Sequence, residues 1–101
     1  MGFDRMNCGI KEKVLLEIKE LAEKYDIQKV ILFGSRARGD FRERSDIDLA
    51  AQGGNVDLFA LAVDEETSTL LKYDIVNLDR AVQKELLESI EKEGILLYEK
   101  V

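Results

Sequence analysis

The stretch Val30-Ile31-Leu32-Phe33-Gly34-Ser35-Arg36-Ala37-Arg38-Gly39-Asp40, continued after Phe41-Arg42-Glu43-Arg44 by Ser45-Asp46-Ile47-Asp48-Leu49-Ala50-Ala51, decides the fold. Two short apolar runs flank a turn and an arginine-rich segment. Runs of this length bounded by turn residues suit buried strands. Gly34-Ser35 reads as a strand-to-helix corner, with glycine allowing the bend and Ser35 placed to cap a helix N-terminus. The amides that open such a helix are a ready place for a phosphate.

The second run sets a sharper problem. Side chains alternate along a strand, so Ile47 and Leu49 face one way while Asp46 and Asp48 face the other. Adjacent carboxylates repel, and burying an unpaired charge is costly. A hard divalent cation resolves that conflict, since Mg²⁺ is held by one or two carboxylates together with substrate phosphates. A solvent-facing sheet surface would also tolerate the pair. Position after a Gly-Ser corner favours the cation.

With those residues in place, the chain resembles the nucleotidyltransferase superfamily related to DNA polymerase beta. More narrowly, it resembles the minimal nucleotidyltransferase (MNT) domains. The signature is Gly34-Ser35, ten intervening residues, then Asp46-Ile47-Asp48, and the resemblance extends from about Val14 to Glu99. The compound motif is specific, whereas Asp-x-Asp alone is weak.

Composition sets the outer limits. At 101 residues, with 46% hydrophobic and 36% charged residues, the chain suits one soluble globular domain. No apolar stretch approaches a membrane span, and no apolar leader is evident at the N-terminus. The single cysteine, Cys8, permits no internal disulfide, fits a cytoplasmic location, and reads as a bystander in a flexible tail. Histidine is absent, so serine-type triads and imidazole metal sites are excluded. A net charge of −6 argues against direct nucleic-acid binding. Four of the six arginines (Arg36, Arg38, Arg42 and Arg44) nevertheless cluster between the Gly-Ser corner and the aspartates. They form either a solvated basic loop or a patch that grips a triphosphate.

Along the chain, residues 1–9 lack periodicity and are expected to be a flexible lead-in to a single domain over 10–101. Ile10, Val14, Leu15, Ile18, Leu21, Ala22 and Tyr25 form a helical stripe. A strand is expected at Lys29–Phe33, a short helix from Ser35 to a left-handed Gly39, and a second strand at Asp46–Ala51. A helix follows from about Val56 to Glu66, with Asn55 as its cap. Tyr73–Leu78 reads as a third strand and Val82–Glu93 as a last helix ending at Gly94, with Asp79 as its cap. Ile95–Tyr98 is a short strand or an apolar strap. This alternation is an α/β (α+β) pattern on a small sheet. The mixed sheet with helices packed against it is implied by the resemblance and not by periodicity.

The resemblance also implies roles. Asp46 and Asp48 would be ligands of two Mg²⁺ ions, and Asp74 the third carboxylate, which orients the acceptor-side metal and takes the hydroxyl proton. Gly34 and Ser35 would hold the β and γ phosphates of ATP, and Arg36, with Arg38, would add positive charge there. Asp79 is the rival to Asp74. The implied activity is Mg²⁺-dependent transfer of AMP to a hydroxyl, in a tyrosine of a HEPN-domain toxin partner. The chain would then be the antitoxin, within a homo- or hetero-oligomer. A non-catalytic antitoxin acting by contact, and nucleotidylation of a small hydroxyl compound, are the alternatives.

Overall fold

The computed structural model describes residues 8–101; the expected lead-in lies mostly outside them. Eight elements alternate: α1 (Glu12–Lys24), β1 (Lys29–Phe33), α2 (Ser35–Arg38), β2 (Ile47–Gln52), α3 (Val56–Glu66), β3 (Tyr73–Asn77), α4 (Lys84–Glu93) and β4 (Ile95–Glu99). The strands form one sheet in the order β3-β2-β1-β4. β1 runs antiparallel to both β2 and β4, whereas β2 and β3 are parallel. The sheet is therefore mixed.

Strand alternation assigns each face. Val30, Leu32, Ile47, Leu49, Ala51 and Leu97 point into the main core, where they meet Val14, Leu15 and Ile18 of α1 and Phe59 and Val63 of α3. On the opposite face Phe33 and Ala50 pack with Ile90 of α4, joined by Ile31, Val76 and Leu86. Ala50 is fully buried because helices cover both sides of the sheet there.

Local chemistry sets the element ends. Asn55 caps α3, its side-chain oxygen accepting from the Leu58 amide at 3.2 Å. Gly39 closes α2 in the left-handed conformation at φ 93°. Gly94 follows α4, but in an extended conformation. Its missing side chain serves contact instead, because a Cβ there would collide with the Ile90 carbonyl and the Ile31 side chain.

Three local expectations are corrected. Asp79 does not cap α4, whose N-cap is Gln83; its carboxylate accepts from the Gly53 amide at 2.9 Å, tying the loop after β2 to the loop after β3. Ser35 is not a cap either. Gly34 holds the N-cap position and Ser35 opens the helix with no side-chain cap bond. Cys8, finally, is no tail bystander but a core residue, 1% exposed.

Candidate active site

The carboxylates stand where the sheet emerges from beneath α4. Phe33 of β1 pairs with Asp48 of β2, and Asp48 pairs with Asp74 of β3. Paired residues of neighbouring strands share a face, so Phe33, Asp48 and Asp74 form one row across the sheet. The next row, Ile31, Ala50 and Val76, lies in the cluster with Ile90 of α4. A single face is thus apolar under the helix and acidic one step beyond it. Asp46 comes just before β2, two residues from Asp48 and on the same face, with Ile47 between them buried in the main core.

The charges of this row act on one another. Burial is the main cause that pushes the Asp48 carboxyl above its usual range, and the negative charges of Asp74 and Asp46 push it further. Arg38 and Arg36 pull the other way. Asp48 is half-buried, whereas Asp46 and Asp74 are exposed. Such a set of hard oxygen donors fits a divalent cation, which would offset the repulsion. No three acidic, cysteine or histidine side chains among the described residues are gathered into a ready-made metal cage.

Gly34 sits against this row. Its backbone, φ 74° and ψ −159°, lies in a region that is essentially reserved for glycine. A side chain there would overlap the Asp48 carboxylate, Cβ lying 3.0 Å from Cγ and nearer still to Oδ2. The bend and the carboxylate are thus in direct contact. The first helical bonds of α2 are donated by Ala37 and Arg38 to the Gly34 carbonyl. The amides of Ser35 and Arg36 precede them and are the ones a phosphate would meet.

The arginines divide. Arg38 is exposed and bonds to Asp40 and to Glu93 of α4, each at 3.3 Å. The Arg36 side chain, expected to add positive charge at the phosphates, is 2% exposed, and its guanidinium donates to backbone carbonyls. The motif shows that an arginine follows the Gly-Ser corner; it does not show that Cys8, 28 residues away in sequence, lies across from it. Arg42 and Arg44 are exposed on the loop. Beyond Asp46 an open cleft of about 730 Å³ is lined by Glu43, Arg44, Asp46, Leu70, Leu71 and Lys72. The sequence reading overlooked the Leu70–Lys72 wall, which no motif marks.

Comparison with known proteins follows the same lines. A protein of Methanocaldococcus jannaschii that carries the name of a proposed protein adenylyltransferase is 48% identical over 69 residues, spanning 65% of this chain and 67% of that protein. A crystal structure of a toxin–antitoxin with AMP-PNP superposes with a TM-score of 0.68 at 22% identity, covering 85% of this chain and 73% of that one. A mutant of the toxin–antitoxin MntA-HpeT gives 0.67 at 20% identity, with the same coverage. These two structural likenesses speak for the fold. The family model described as "Polymerase beta, Nucleotidyltransferase" matches residues 16–101. By that match across most of its length, the chain belongs to the polymerase beta nucleotidyltransferase family.

Proposed function

We propose that this chain is a Mg²⁺-dependent nucleotidyltransferase that moves AMP from ATP to a hydroxyl of a partner protein, a tyrosine of a HEPN-domain toxin. The observation that carries the reading is the row in which Asp74 stands beside Asp48 while Gly34 presses on the Asp48 carboxylate. Support for the protein acceptor comes from the name of the archaeal relative, and support for a toxin partner from the two toxin–antitoxin structures.

The reaction forms a bond between the acceptor oxygen and the α-phosphorus and breaks the bond to pyrophosphate. Asp46 and Asp48 would hold the divalent cations, with Asp74 contributing on the acceptor side. The bound cations would supply charge neutralisation at the phosphates and clamp the attacking and leaving oxygens. The chain itself does the rest. The amides of Ser35 and Arg36, with the Ser35 hydroxyl, hold the terminal phosphates. Arg38, at the end of α2, adds charge on the same side. The Asp74 carboxylate, exposed at the row's outer end, accepts the proton of the attacking hydroxyl. The cleft beyond Asp46 takes the part of the substrate that lies outside the phosphates.

The test is incubation with α-labelled ATP, Mg²⁺ and the toxin partner. The account expects label on the partner, and a loss of at least about 10²-fold with Asp48→Asn or Asp74→Asn, as for removal of a group that stabilises or positions the transferring phosphoryl. Undiminished labelling by those variants refutes the assignment. A second reading, neutralisation by contact alone, draws on the absence of a gathered three-acid cage among the described residues. Full toxin rescue by Asp46→Asn/Asp48→Asn protein, together with no labelling by the wild type, would establish it.

A further inference from the structure

We propose that Arg36 is a positioning residue for the carboxylates: its buried guanidinium locks the peptide that precedes Asp46, and so sets where Asp46 and Asp48 stand. The proposal rests on the transfer reading above.

Among the described residues, Arg36 is the largest side chain fully enclosed by the protein. Nε donates to the Ser45 carbonyl at 3.1 Å, and one terminal nitrogen donates to the same oxygen at 2.9 Å. That nitrogen also reaches the carbonyls of Glu43 at 3.2 Å and Arg42 at 3.5 Å. The other terminal nitrogen donates to the Cys8 carbonyl at 2.9 Å. No carboxylate is among these partners. A buried cation is tolerated only when its donors are satisfied, and here five bonds to peptide oxygens do so.

The Phe41 ring stacks on the guanidinium, 4.9 Å from its central carbon, and Gly9 lies so close to both that a Cβ there would fall 2.6 Å from a terminal nitrogen. Between Phe41 and Asp46 the chain has neither helix nor strand, and Arg42, Glu43 and Arg44 are exposed. The segment closes on itself through Ser45 N to the Arg42 carbonyl, 3.0 Å, and Arg42 N to Ser45 Oγ, 2.8 Å. Those bonds shape the turn without attaching it to anything. The attachment is Arg36, which joins the Arg42, Glu43 and Ser45 carbonyls of this turn to the core-bound Cys8. Asp46 follows the doubly bonded Ser45 carbonyl directly, and Ile47 then enters the sheet, donating to the Lys72 carbonyl at 2.8 Å. A lysine keeps the charge but lacks the planar fork that spans these oxygens.

The experiment compares wild type, Arg36→Lys and Phe41→Leu for Mn²⁺ affinity in the presence of a non-hydrolysable ATP analogue, and for amide exchange over 42–47. Circular dichroism checks that each variant is folded. Outer residues that orient metal ligands change affinity by about 10–100-fold, and Arg36→Lys should weaken Mn²⁺ binding within that range. Exchange should quicken in 42–47 and not across α1 or α3. Phe41→Leu should move both readouts in the same direction, less far. A folded Arg36→Lys with wild-type Mn²⁺ affinity and exchange overturns the proposal. Should Arg36→Lys not fold, a folded Phe41→Leu with both readouts unchanged overturns it. A wild type that takes up no Mn²⁺ with the analogue overturns the transfer site itself and this role with it.

Discussion

At the residue scale, the candidate site joins a strained glycine and a half-buried aspartate, both in conflict with good folding, to two exposed aspartates. Gly34 must adopt a backbone that other residues pay for, and it must leave room for the Asp48 carboxylate. Gly34→Ala should therefore cost about 1–3 kcal/mol in urea denaturation, the strain expected of such a conformation. It should also lower transfer activity, because Cβ displaces the carboxylate. Asp48 carries the opposite signature. Its folded-state carboxyl is raised by burial and by the neighbouring negative charges, so the folded chain holds that proton more tightly than the unfolded chain does. This contribution to stability falls as pH rises from the ordinary carboxylate range through the raised value. Asp48→Asn should make the metal-free protein more stable at neutral pH, by about 1 kcal/mol at most given the solvent on its open side. Thermal melts of the two proteins against pH check this, and equal stability above neutrality would count against it.

Much of this scale was legible in the chain. Asp46 and Asp48 stand out as carboxylates in an otherwise apolar run, whereas Asp74 is preferred over Asp79 through the resemblance; the structure puts Asp48 and Asp74 in one register. The place of Arg36 was not legible, since its partners are main-chain oxygens with no sequence signal of their own. Cys8 was misread for the same reason: a short segment without periodicity shows nothing of the arginine that draws it into the core.

At the element scale, chemistry near the chain predicts ends better than it predicts pairing. β1 and α3 have the bounds their apolar runs and Asn55 suggest. α1 and α4 are shorter than their stripes, because Ile10 and Val82 carry the apolar pattern ahead of the first helical residues, Glu12 and Lys84. That β2 runs antiparallel to β1 and parallel to β3 could not be read from period, which is the same for both. Asn55→Ala should cost about 0.5–2 kcal/mol through loss of the cap. Since Asn55 starts a helix on the core face, away from the acid row, transfer activity should be unchanged. The ion pair between Arg38 of α2 and Glu93 of α4 lies open to solvent, so Glu93→Gln should leave the midpoint of urea denaturation nearly unchanged.

At the scale of the whole molecule, one sheet serves two purposes on one face. The rows under α4 close a small apolar cluster, and the row beyond it is left acidic. The main core on the other face, from Leu49 and Phe59 to Ile18, supplies the rigidity that keeps this row in register. Phe59→Ala should cost about 3–5 kcal/mol and unfold the site along with the chain. No helix among the described residues is long and apolar enough to cross a membrane. The central claim concerns the acid row and the glycine bend as one site, and a crystal structure with Mg²⁺ and a non-hydrolysable ATP analogue tests it most directly. The account predicts a cation bonded to Asp46 and Asp48, Asp74 turned toward the α-phosphate, and the terminal phosphates on the amides of Ser35 and Arg36. A nucleotide seated elsewhere, or a cation that leaves Asp48 untouched, would contradict it.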